Sequence, residues 1–451
     1  MSEFTHPTIQ RLHHLLVPHP TQPALLMLPT GDAWAWPQFA PTEAHFGVVD
    51  HINAAAQRLF GLRVATLRCL GDDWSPEATC INSLYELENL SASGDCPPGG
   101  RWVTEADLSG LFLSSPTQQQ AMHAWFAEER DGRPLGRRPW ARPGWFAGVE
   151  AWMTAQARRP GAEPLEKAEQ LRNWERSTLL RLPTTQGTLY YKAAPAPLAG
   201  EGALLAWLAE RFPGEVPEVV AQDPARGGVL MRDLCAQPLS ETADLRLFRR
   251  AARRYGELQR ALIHDLPELP LYPTAGLAEP FDTLLGAIQD LAVPLEPAHL
   301  ERLRAAGPRL QALCAELAAC GLPDTLEHGD FWPTNVAMRG ENPVFFDVSD
   351  ATITHPFFSL RLFLTNLSEW LPQEPHAQAQ IVSAYLAAWS DLADEATLRR
   401  AYALSRPLAA LHAARLYAER ILPALEARWE MEGMLQFALH DLLNELDGLK
   451  G

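Results

Sequence analysis

Three polar residues within one short segment have the types and the spacing that phosphate chemistry requires. Asp330, Asn335 and Asp347 all lie in the run TLEHGDFWPTNVAMRGENPVFFDVSD, which is otherwise dominated by apolar and turn-forming residues. An amide oxygen and a carboxylate are hard ligands that suit Mg²⁺. The remaining carboxylate can accept a proton from a nucleophile. Together these groups meet the needs of phosphoryl transfer, in which positioning and neutralisation of phosphate charge do most of the catalysis.

Two short strands are needed to position these side chains. The segment NVAM begins at Asn335, and the segment PVFF precedes Asp347. If the two segments pair as a hairpin, they bring Asn335 and Asp347 close together, with Asp330 on the preceding loop. Asp and Asn also favour ordinary turns, because their side chains bond their own backbone. A turn role is therefore the alternative interpretation of each residue taken alone.

Phosphoryl transfer from a nucleotide also requires a cation for the phosphates, held in place by a carboxylate. Lys192 ends the predicted strand TLYYK, and Glu201 opens the predicted helix EGALLAWL. Their order along the chain matches the Lys–Glu ion pair of kinase folds. An exposed strand lysine and a surface glutamate are the simpler alternatives for these two residues.

Composition excludes several classes of protein. The chain has 451 residues, of which 47% are apolar, so two or three folded domains are expected. A net charge of −17 argues against nucleic-acid binding, which uses a basic face. There is neither a long apolar run nor a signal sequence, and the six cysteines show no metal-ligand spacing. We expect a cytoplasmic protein that binds neither nucleic acid nor membranes.

Changes in composition and periodicity along the sequence predict three regions. Residues 1–155 mix short apolar strands with a helix at HINAAAQRLFGL, which indicates an α/β domain. Residues 156–234 contain STLLRLPT and GTLYYKA around a Thr-Gln-Gly turn, a pattern typical of an antiparallel hairpin. Residues 235–451 are mostly helical by periodicity, interrupted by the segment that carries Asp330. The predicted fold class is therefore α+β.

The ordered set of motifs resembles the aminoglycoside phosphotransferase family of small-molecule kinases. HGDFWPTN followed by VFFDVSDATITHPFFSL is similar to the family's H-G-D-x-x-x-x-N signature and its later metal-binding Asp. The similarity extends from about residue 165 to the C-terminus. It implies a bilobal, protein-kinase-like fold, with a small β-rich N-lobe and hinge over residues 156–234. Residues 235–451 would form a mostly helical C-lobe that carries the catalytic and metal-binding loop.

The resemblance implies a role for each matched position. Asp330 would be the catalytic base that orients the acceptor hydroxyl, Asn335 and Asp347 would bind Mg²⁺, and His328 would be a structural loop residue. The positions implied to bind ATP are Lys192 and Glu201 at the phosphates, with Met231, Arg232 and Asp233 beside the adenine. The predicted enzyme is an ATP- and Mg²⁺-dependent phosphotransferase that acts on an alcohol group of a small molecule.

Departures from the family pattern leave a second interpretation open. Many members carry an Asp that braces the catalytic loop at the position where this chain has Ser359, and the turn PTTQGTL holds a single Gly. The alternative is a regulatory nucleotide-binding protein, a pseudokinase without transfer activity. Neither interpretation identifies the acceptor, because a fold does not determine the substrate.

The N-terminal region, residues 1–155, resembles a Nudix domain in its order of strands and helix. Nudix enzymes hold Mg²⁺ through a cluster of helix glutamates, whereas NAAAQRLFGL has Ala, Gln, Arg and Leu at those positions. The resemblance therefore implies a degenerate domain without a hydrolase site. The roles left open for this domain are ligand recognition, docking against the kinase part and self-association as a homodimer.

Overall fold

The chain divides into two units, of which one ends at Pro195 and the other begins at Ala196. The computed structural model describes residues 10–31, 33–43, 45–74, 80–111 and 115–448. Both units contain strands and helices, which confirms the α+β class. The predicted domain boundary at residue 155 falls inside a helix. The first nine residues of the predicted N-terminal domain and the last three of the predicted C-lobe lie outside the described residues.

The first unit is built from strands and three α-helices in its described part. Its strands are β1 (Gln10–Leu16), β2 (Ala24–Thr30), β3 (Ala33–Ala35), β4 (Gln38–Phe39), β5 (Val64–Trp74), β6 (Cys80–Asn89), β7 (Arg101–Thr104), β8 (Glu169–Asn173), β9 (Thr178–Thr184) and β10 (Gly187–Ala193). Its helices are α1 (Asp50–Phe60), α2 (Pro116–Asp131) and α3 (Trp145–Arg158). One sheet has the order β4-β1-β6-β5, and a second has the order β3-β2-β7.

The β4-β1-β6-β5 sheet buries both of its faces. Neighbouring residues of a strand point to opposite sides of a sheet, and β1 follows this rule with Leu15 and Leu16. Leu15 packs in a cluster with Ile52 of α1, whereas Leu16 packs in a second cluster with Trp125 of α2. The two helices therefore cover opposite faces of the sheet.

The predicted hairpin is confirmed in strands β9 and β10. The two strands pair antiparallel from Thr178↔Ala193 to Thr184↔Gly187, and β8 pairs with the other edge of β9. Burial alternates along β9, as the alternating apolar pattern of TLLRLPT requires. The φ of 101° at Gly187 is in the left-handed range that glycine adopts without strain.

Strand β8 is fixed to the N-terminal sheet by an amide clamp, which consists of Gln170 and Asn173 on β8 and Thr66 on β5. The Gln170 side chain accepts a hydrogen bond from the Thr66 backbone N–H (2.9 Å) and donates one to the Thr66 carbonyl oxygen (2.9 Å). The Asn173 amide donates to the carbonyl oxygens of Thr66 (2.9 Å) and Leu67 (2.7 Å). Gln170 and Asn173 are both buried. The strands that begin the predicted N-lobe thus pack on the N-terminal region through buried amide groups that hydrogen-bond the backbone of β5.

The second unit is mostly helical. Its helices are α4 (Glu201–Arg211), α5 (Leu245–Ala261), α6 (Phe281–Asp290), α7 (Pro297–Ala318), α8 (Leu360–Phe363), α9 (Leu367–Trp370), α10 (Ala377–Leu386), α11 (Glu395–Leu416) and α12 (Glu432–Gly448). Its strands are β11 (Val219–Asp223), β12 (Gly228–Arg232), β13 (Gln237–Pro238), β14 (Thr325–Glu327), β15 (Val336–Arg339), β16 (Asn342–Phe345) and β17 (Thr352–Thr354). No helix in the described part of the chain has both the length and the apolar character that crossing a membrane requires.

Helix α5 shows how the sequence of the second unit specifies its packing. The Asp244 side chain caps the helix by accepting a hydrogen bond from the Arg246 backbone N–H (2.8 Å). Its buried side includes Phe248, Tyr255 and Gln259, while its arginines occupy the opposite side. Such a two-sided helix is stable only against a core, and Tyr255 stacks there on Phe331 at 4.2 Å between ring centroids. Because Phe331 follows Asp330 directly, α5 supports the loop that carries the candidate base.

Candidate active site

Strand β14 leads into the candidate active site through a tight turn at Gly329. The strand pairs antiparallel with β17, and the last pair is Glu327↔Thr352. Gly329 has a φ of 79°, and a Cβ atom placed there would lie 2.3 Å from the carbonyl oxygen of Asp350. Only glycine therefore fits at this position. The turn directs the chain from the buried strand to Asp330, which is half-buried.

His328 is held inside the turn as a neutral structural residue. Its Nε2 atom is 3.0 Å from the carbonyl oxygen of Phe346, and its Nδ1 atom accepts the backbone N–H of Asp330 (3.3 Å). The proton must therefore be on Nε2. Burial lowers the pKa of His328 to about 4, although the charge of Asp347 opposes that shift. A neutral ring with both nitrogens engaged supports the predicted structural role.

Asp330 and Asn335 are hydrogen-bonded to each other within the loop. The amide nitrogen of Asn335 donates to the backbone oxygen of Asp330 (2.8 Å) and to its Oδ2 atom (3.1 Å). The Trp332 N–H also donates to the backbone oxygen of Asp330 (2.8 Å). Because the amide nitrogen of Asn335 serves as the donor, its amide oxygen is the atom left for a cation.

The predicted hairpin between Asn335 and Asp347 is confirmed. Strands β15 and β16 pair from Val336↔Phe345 to Arg339↔Asn342. The backbone N–H of Phe346 then donates to the carbonyl oxygen of Asn335 at 3.2 Å. This bond fixes the start of β15 beside the end of β16, so Asn335 and Asp347 emerge from adjacent strand ends.

Asp347 has an unusual backbone conformation for a residue with a side chain. Its φ is 61°, in the left-handed region that costs roughly 1 kcal/mol or more for residues other than glycine. The Ser349 hydroxyl donates to Asp347 Oδ1 at 3.4 Å. Strain of this kind is concentrated at functional sites, where a side chain must be directed to one place.

A comparison with known protein families identifies the family to which this chain belongs. Residues 154–404 match the APH phosphotransferase enzyme family. The chain belongs to the APH family. Membership confirms the resemblance to phosphotransferases over residues 154–404 and supports a kinase-like fold for that part. The match does not include residues before 154, so the Nudix-like character of the N-terminal region is not shown.

Solved structures that match this chain include aminoglycoside phosphotransferases and choline kinases. The choline kinase LicA from Streptococcus pneumoniae is 13% identical, with a TM-score of 0.48, over 66% of this chain and 99% of its own. A choline kinase from Cryptosporidium parvum is 11% identical, with a TM-score of 0.49, over 68% and 92%. Aminoglycoside phosphotransferase APH(3'')-Id from Streptomyces rimosus, in complex with ADP and streptomycin, is 19% identical, with a TM-score of 0.37, over 59% and 98%. No curated protein sequence matches this chain.

The two residues predicted to hold the phosphates occupy the expected kinds of element. Lys192 is the second-last residue of β10 in the first unit and is buried. Glu201 is the first residue of α4 in the second unit and is also buried. Burial of both side chains argues against the alternative of a solvated lysine and a surface glutamate. Their pairing in this APH family member remains a prediction.

The predicted adenine-binding residues follow strand β12. Met231 and Arg232 end the strand, and Asp233 comes directly after it. Arg232 pairs with Glu218 (2.8 Å), and the Asp233 carboxylate accepts the backbone N–H of Cys235 (2.8 Å). The side chains of Arg232 and Asp233 thus organise the local backbone, which suits a segment predicted to bind the nucleotide through backbone groups.

Sequence reasoning missed the polar residues buried behind the turn. Glu327 is buried, and its carboxyl accepts a hydrogen bond from the Ser359 hydroxyl (3.1 Å). Burial raises the pKa of Glu327 to about 7, with Asp350 and Asp330 adding to the effect. One signal was available in the sequence: Glu327 is an acidic residue that directly follows the apolar Leu326 and directly precedes the His-Gly-Asp motif. Ser359 was noted only as a departure from the family pattern.

Proposed function

We propose that this protein transfers the γ-phosphoryl group of ATP to a hydroxyl group of a small molecule in a Mg²⁺-dependent reaction. The observation that carries the proposal is the hydrogen-bonded pair Asp330 and Asn335, joined to Asp347 through the β15–β16 hairpin. This arrangement occurs in a chain of the APH phosphotransferase family. It supplies a base and two oxygen ligands from one continuous segment.

Asp330 acts as the base in the proposed reaction. Its carboxylate hydrogen-bonds the acceptor hydroxyl and takes the proton as the hydroxyl oxygen bonds to the γ-phosphorus. The bond between that phosphorus and the bridging oxygen breaks at the same centre, and ADP leaves. The Asn335 amide holds one Asp330 oxygen at 3.1 Å, which restricts the carboxylate to a productive orientation.

Asn335 and Asp347 fit a Mg²⁺ ion by the chemistry of their donor atoms. Both offer oxygen, and Mg²⁺ is usually bound by one or two protein groups together with phosphate oxygens and water. No cluster of three His, Cys, Asp or Glu side chains that could hold a metal occurs in the described ranges, and a site of this kind does not need one. When bound, the ion neutralises negative charge on the phosphates. The protein's own contribution is to hold the two oxygen ligands at adjacent strand ends.

The remaining predicted residues bind the nucleotide in this proposal. Lys192 contacts the phosphates, and Glu201 is the carboxylate that the family resemblance implies as its partner. The backbone from Met231 to Asp233 hydrogen-bonds the adenine. The acceptor is a hydroxyl compound whose class is left to experiment.

The test is ATP consumption with a panel of aminoglycosides, amino alcohols and sugars, with and without Mg²⁺. Wild type and Asp330→Asn are compared with Asp391→Asn, which makes the same chemical change at an exposed ion pair with Arg260. We expect turnover on one acceptor class that is lost roughly 10²- to 10⁴-fold in Asp330→Asn, the range for removal of a general base. Asp391→Asn should keep wild-type turnover.

Two outcomes would change the proposal. Near-wild-type turnover by Asp330→Asn would exclude Asp330 as the base. Binding of ATP and Mg²⁺ without turnover on any acceptor would favour the regulatory pseudokinase.

A further inference from the structure

A groove of about 560 Å³ in the second unit is lined mainly by charged side chains. Its volume is in the range of small-molecule binding sites. The charged residues of its lining are four arginines and two glutamates: Arg250, Arg253, Arg254, Arg339, Glu215 and Glu257. The lining therefore carries a net charge of +2 in a chain whose net charge is −17. We call this site the arginine groove.

Helix α5 supplies most of this positive charge. It carries six arginines and one glutamate in 17 residues, whereas the whole chain has 55 Asp and Glu against 38 Lys and Arg. A solvated helix face is commonly balanced by carboxylates three or four positions from each cation. On α5, Glu257 is the one residue that can do this. The remaining positive charge is matched from outside the helix.

Arg254 is the structural arginine of the groove. Its Nε and Nη2 atoms donate to the two carboxylate oxygens of Glu215 at 2.8 and 2.6 Å, and its Nη1 atom donates to Glu257 at 3.0 Å. Two parallel hydrogen bonds to one carboxylate form the strongest geometry for a guanidinium group. Arg254 thus fixes the segment around Glu215 on α5 and forms the floor of the groove.

The other three arginines keep most of their donors available. Arg253 donates from Nε to Glu257 at 3.0 Å, and Arg250 contacts Glu341 at 3.4 Å. Arg339 donates from Nη2 to a backbone carbonyl oxygen at 2.9 Å. A guanidinium group has five N–H donors, and each of these three makes one polar contact within the part of the chain that the structure describes. Three cations therefore offer N–H groups to the same groove.

The β15–β16 hairpin joins the arginine groove to the candidate active site. Arg339 lies at the turn end of the hairpin, whereas Asn335 and Asp347 emerge from its other end. The carbonyl oxygen that accepts from Arg339 belongs to Leu234, the residue after Asp233. An anion held between Arg339 and α5 would fix the turn end of the hairpin against the helix.

The chemistry of the groove selects a compact anion with several charges. Guanidinium groups bind phosphate through paired hydrogen bonds, and three of them around one groove can engage more than one phosphate group. An extended polyanion such as nucleic acid or an anionic membrane surface is repelled by the negative charge of the whole chain. A small anion meets mainly the local positive charge, because salt screens the more distant groups.

We propose that the arginine groove binds a small molecule with two or more phosphate groups, which accept hydrogen bonds from Arg250, Arg253 and Arg339. The bound anion holds the turn end of the β15–β16 hairpin on α5. This proposal goes beyond the proposed function, because no residue of the groove takes part in the proposed transfer. It therefore stands or fails independently of Asp330.

The test is a calorimetric titration of inorganic pyrophosphate into the full-length protein without Mg²⁺. The variant Arg250→Gln/Arg253→Gln removes two cations of the groove. The variant Arg246→Gln/Arg249→Gln is the matched control, since it makes the same charge change on the same helix outside the groove. We expect the groove variant to bind pyrophosphate at least about tenfold more weakly than wild type. The control variant should bind within about twofold of wild type.

Two further measurements locate the bound anion. Lys192→Met removes the cation that is predicted to hold nucleotide phosphates, and this variant should still bind pyrophosphate within about threefold of wild type. Hydrogen exchange of the Gly340 and Glu341 amides, at the hairpin turn, should slow at least about threefold when pyrophosphate binds to wild type. The same amides should not respond in Arg250→Gln/Arg253→Gln.

Three outcomes would overturn the proposal. The first is a Kd of wild type for pyrophosphate above about 1 mM. The second is equal weakening in the groove variant and the control variant, which would show a general effect of charge. The third is loss of binding in Lys192→Met with full binding in Arg250→Gln/Arg253→Gln, which would place the anion at the nucleotide site. Absence of Asp330-dependent transfer would defeat the proposed function and leave these results unaffected.

Discussion

Replacement of Gln170 by leucine is expected to loosen the attachment of β8 to the N-terminal sheet. Gln170 is 3% exposed, and its amide makes hydrogen bonds with the Thr66 N–H (2.9 Å), the Thr66 carbonyl oxygen (2.9 Å) and the Asn53 amide (3.2 Å). Leucine has a similar size, so the substitution tests the hydrogen bonds with little change in packing.

The expected cost follows from the partners that remain. The Thr66 carbonyl oxygen keeps the bond from Asn173, but the Thr66 N–H loses its acceptor in a buried place. An unsatisfied buried donor costs about 1–3 kcal/mol, and each further neutral hydrogen bond contributes about 1 kcal/mol. We therefore expect a loss of about 3 kcal/mol in the local opening free energy, which corresponds to roughly 100-fold faster exchange.

Native-state hydrogen exchange of peptides from β5 and β8 measures this opening. The Thr66 amide is the direct reporter, because its N–H donates to Gln170. Gln186→Leu is the matched control, since Gln186 is exposed and makes one long contact with the Pro160 carbonyl oxygen (3.4 Å). The control should change the opening free energy by less than about 0.5 kcal/mol. Exchange in Gln170→Leu within threefold of wild type would refute the reasoning.

Two further predictions concern metal binding and acid stability. Asp347→Ala should weaken Mg²⁺-dependent ATP binding at least about tenfold by calorimetry, because it removes one of two protein ligands; unchanged affinity across a Mg²⁺ titration would contradict its metal role. In the second unit, burial lowers the pKa of His328 to about 4 and those of His355 and His412 to about 3. Between pH 6.5 and 4 these histidines therefore bind more protons in the unfolded chain than in the folded chain. The free energy of unfolding should decrease as the pH is lowered. Glu327, with its pKa raised to about 7, has the opposite effect, because it binds about one more proton in the folded chain. The free energy of unfolding should therefore change by roughly 2.5 kcal/mol per pH unit near pH 5.5. Equal free energies of unfolding in urea at pH 5 and pH 6 would contradict this prediction.

Local features of the candidate site could be predicted from the sequence. The hairpin between Asn335 and Asp347 depends on residues close together in the chain, and short apolar strands around a turn define it. The β9–β10 hairpin was predictable for the same reason. In each case the determining contacts lie within about a dozen residues.

The rest depends on contacts between distant parts of the chain. One hydrogen-bond network joins four elements through the side chains of Gln259, Glu327, Ser359 and Tyr385. No periodic pattern in the sequence around these residues predicts which partner each one contacts. The same holds for Gln170, which contacts Thr66 over 104 positions of sequence. A change in composition along the chain likewise does not reveal which strands pack together.

The left-handed backbone at Asp347 provides a criterion for separating selection for folding from selection for activity. Glycine and asparagine adopt this conformation more readily than other residues, so folding alone accepts either of them at position 347. The proposed metal role requires a side-chain oxygen ligand, which glycine cannot supply. In a library of variants selected for stability, we expect glycine to be enriched at position 347, whereas selection for transfer should retain aspartate. A relative that carries glycine at this position would be expected to have lost transfer activity while keeping its fold.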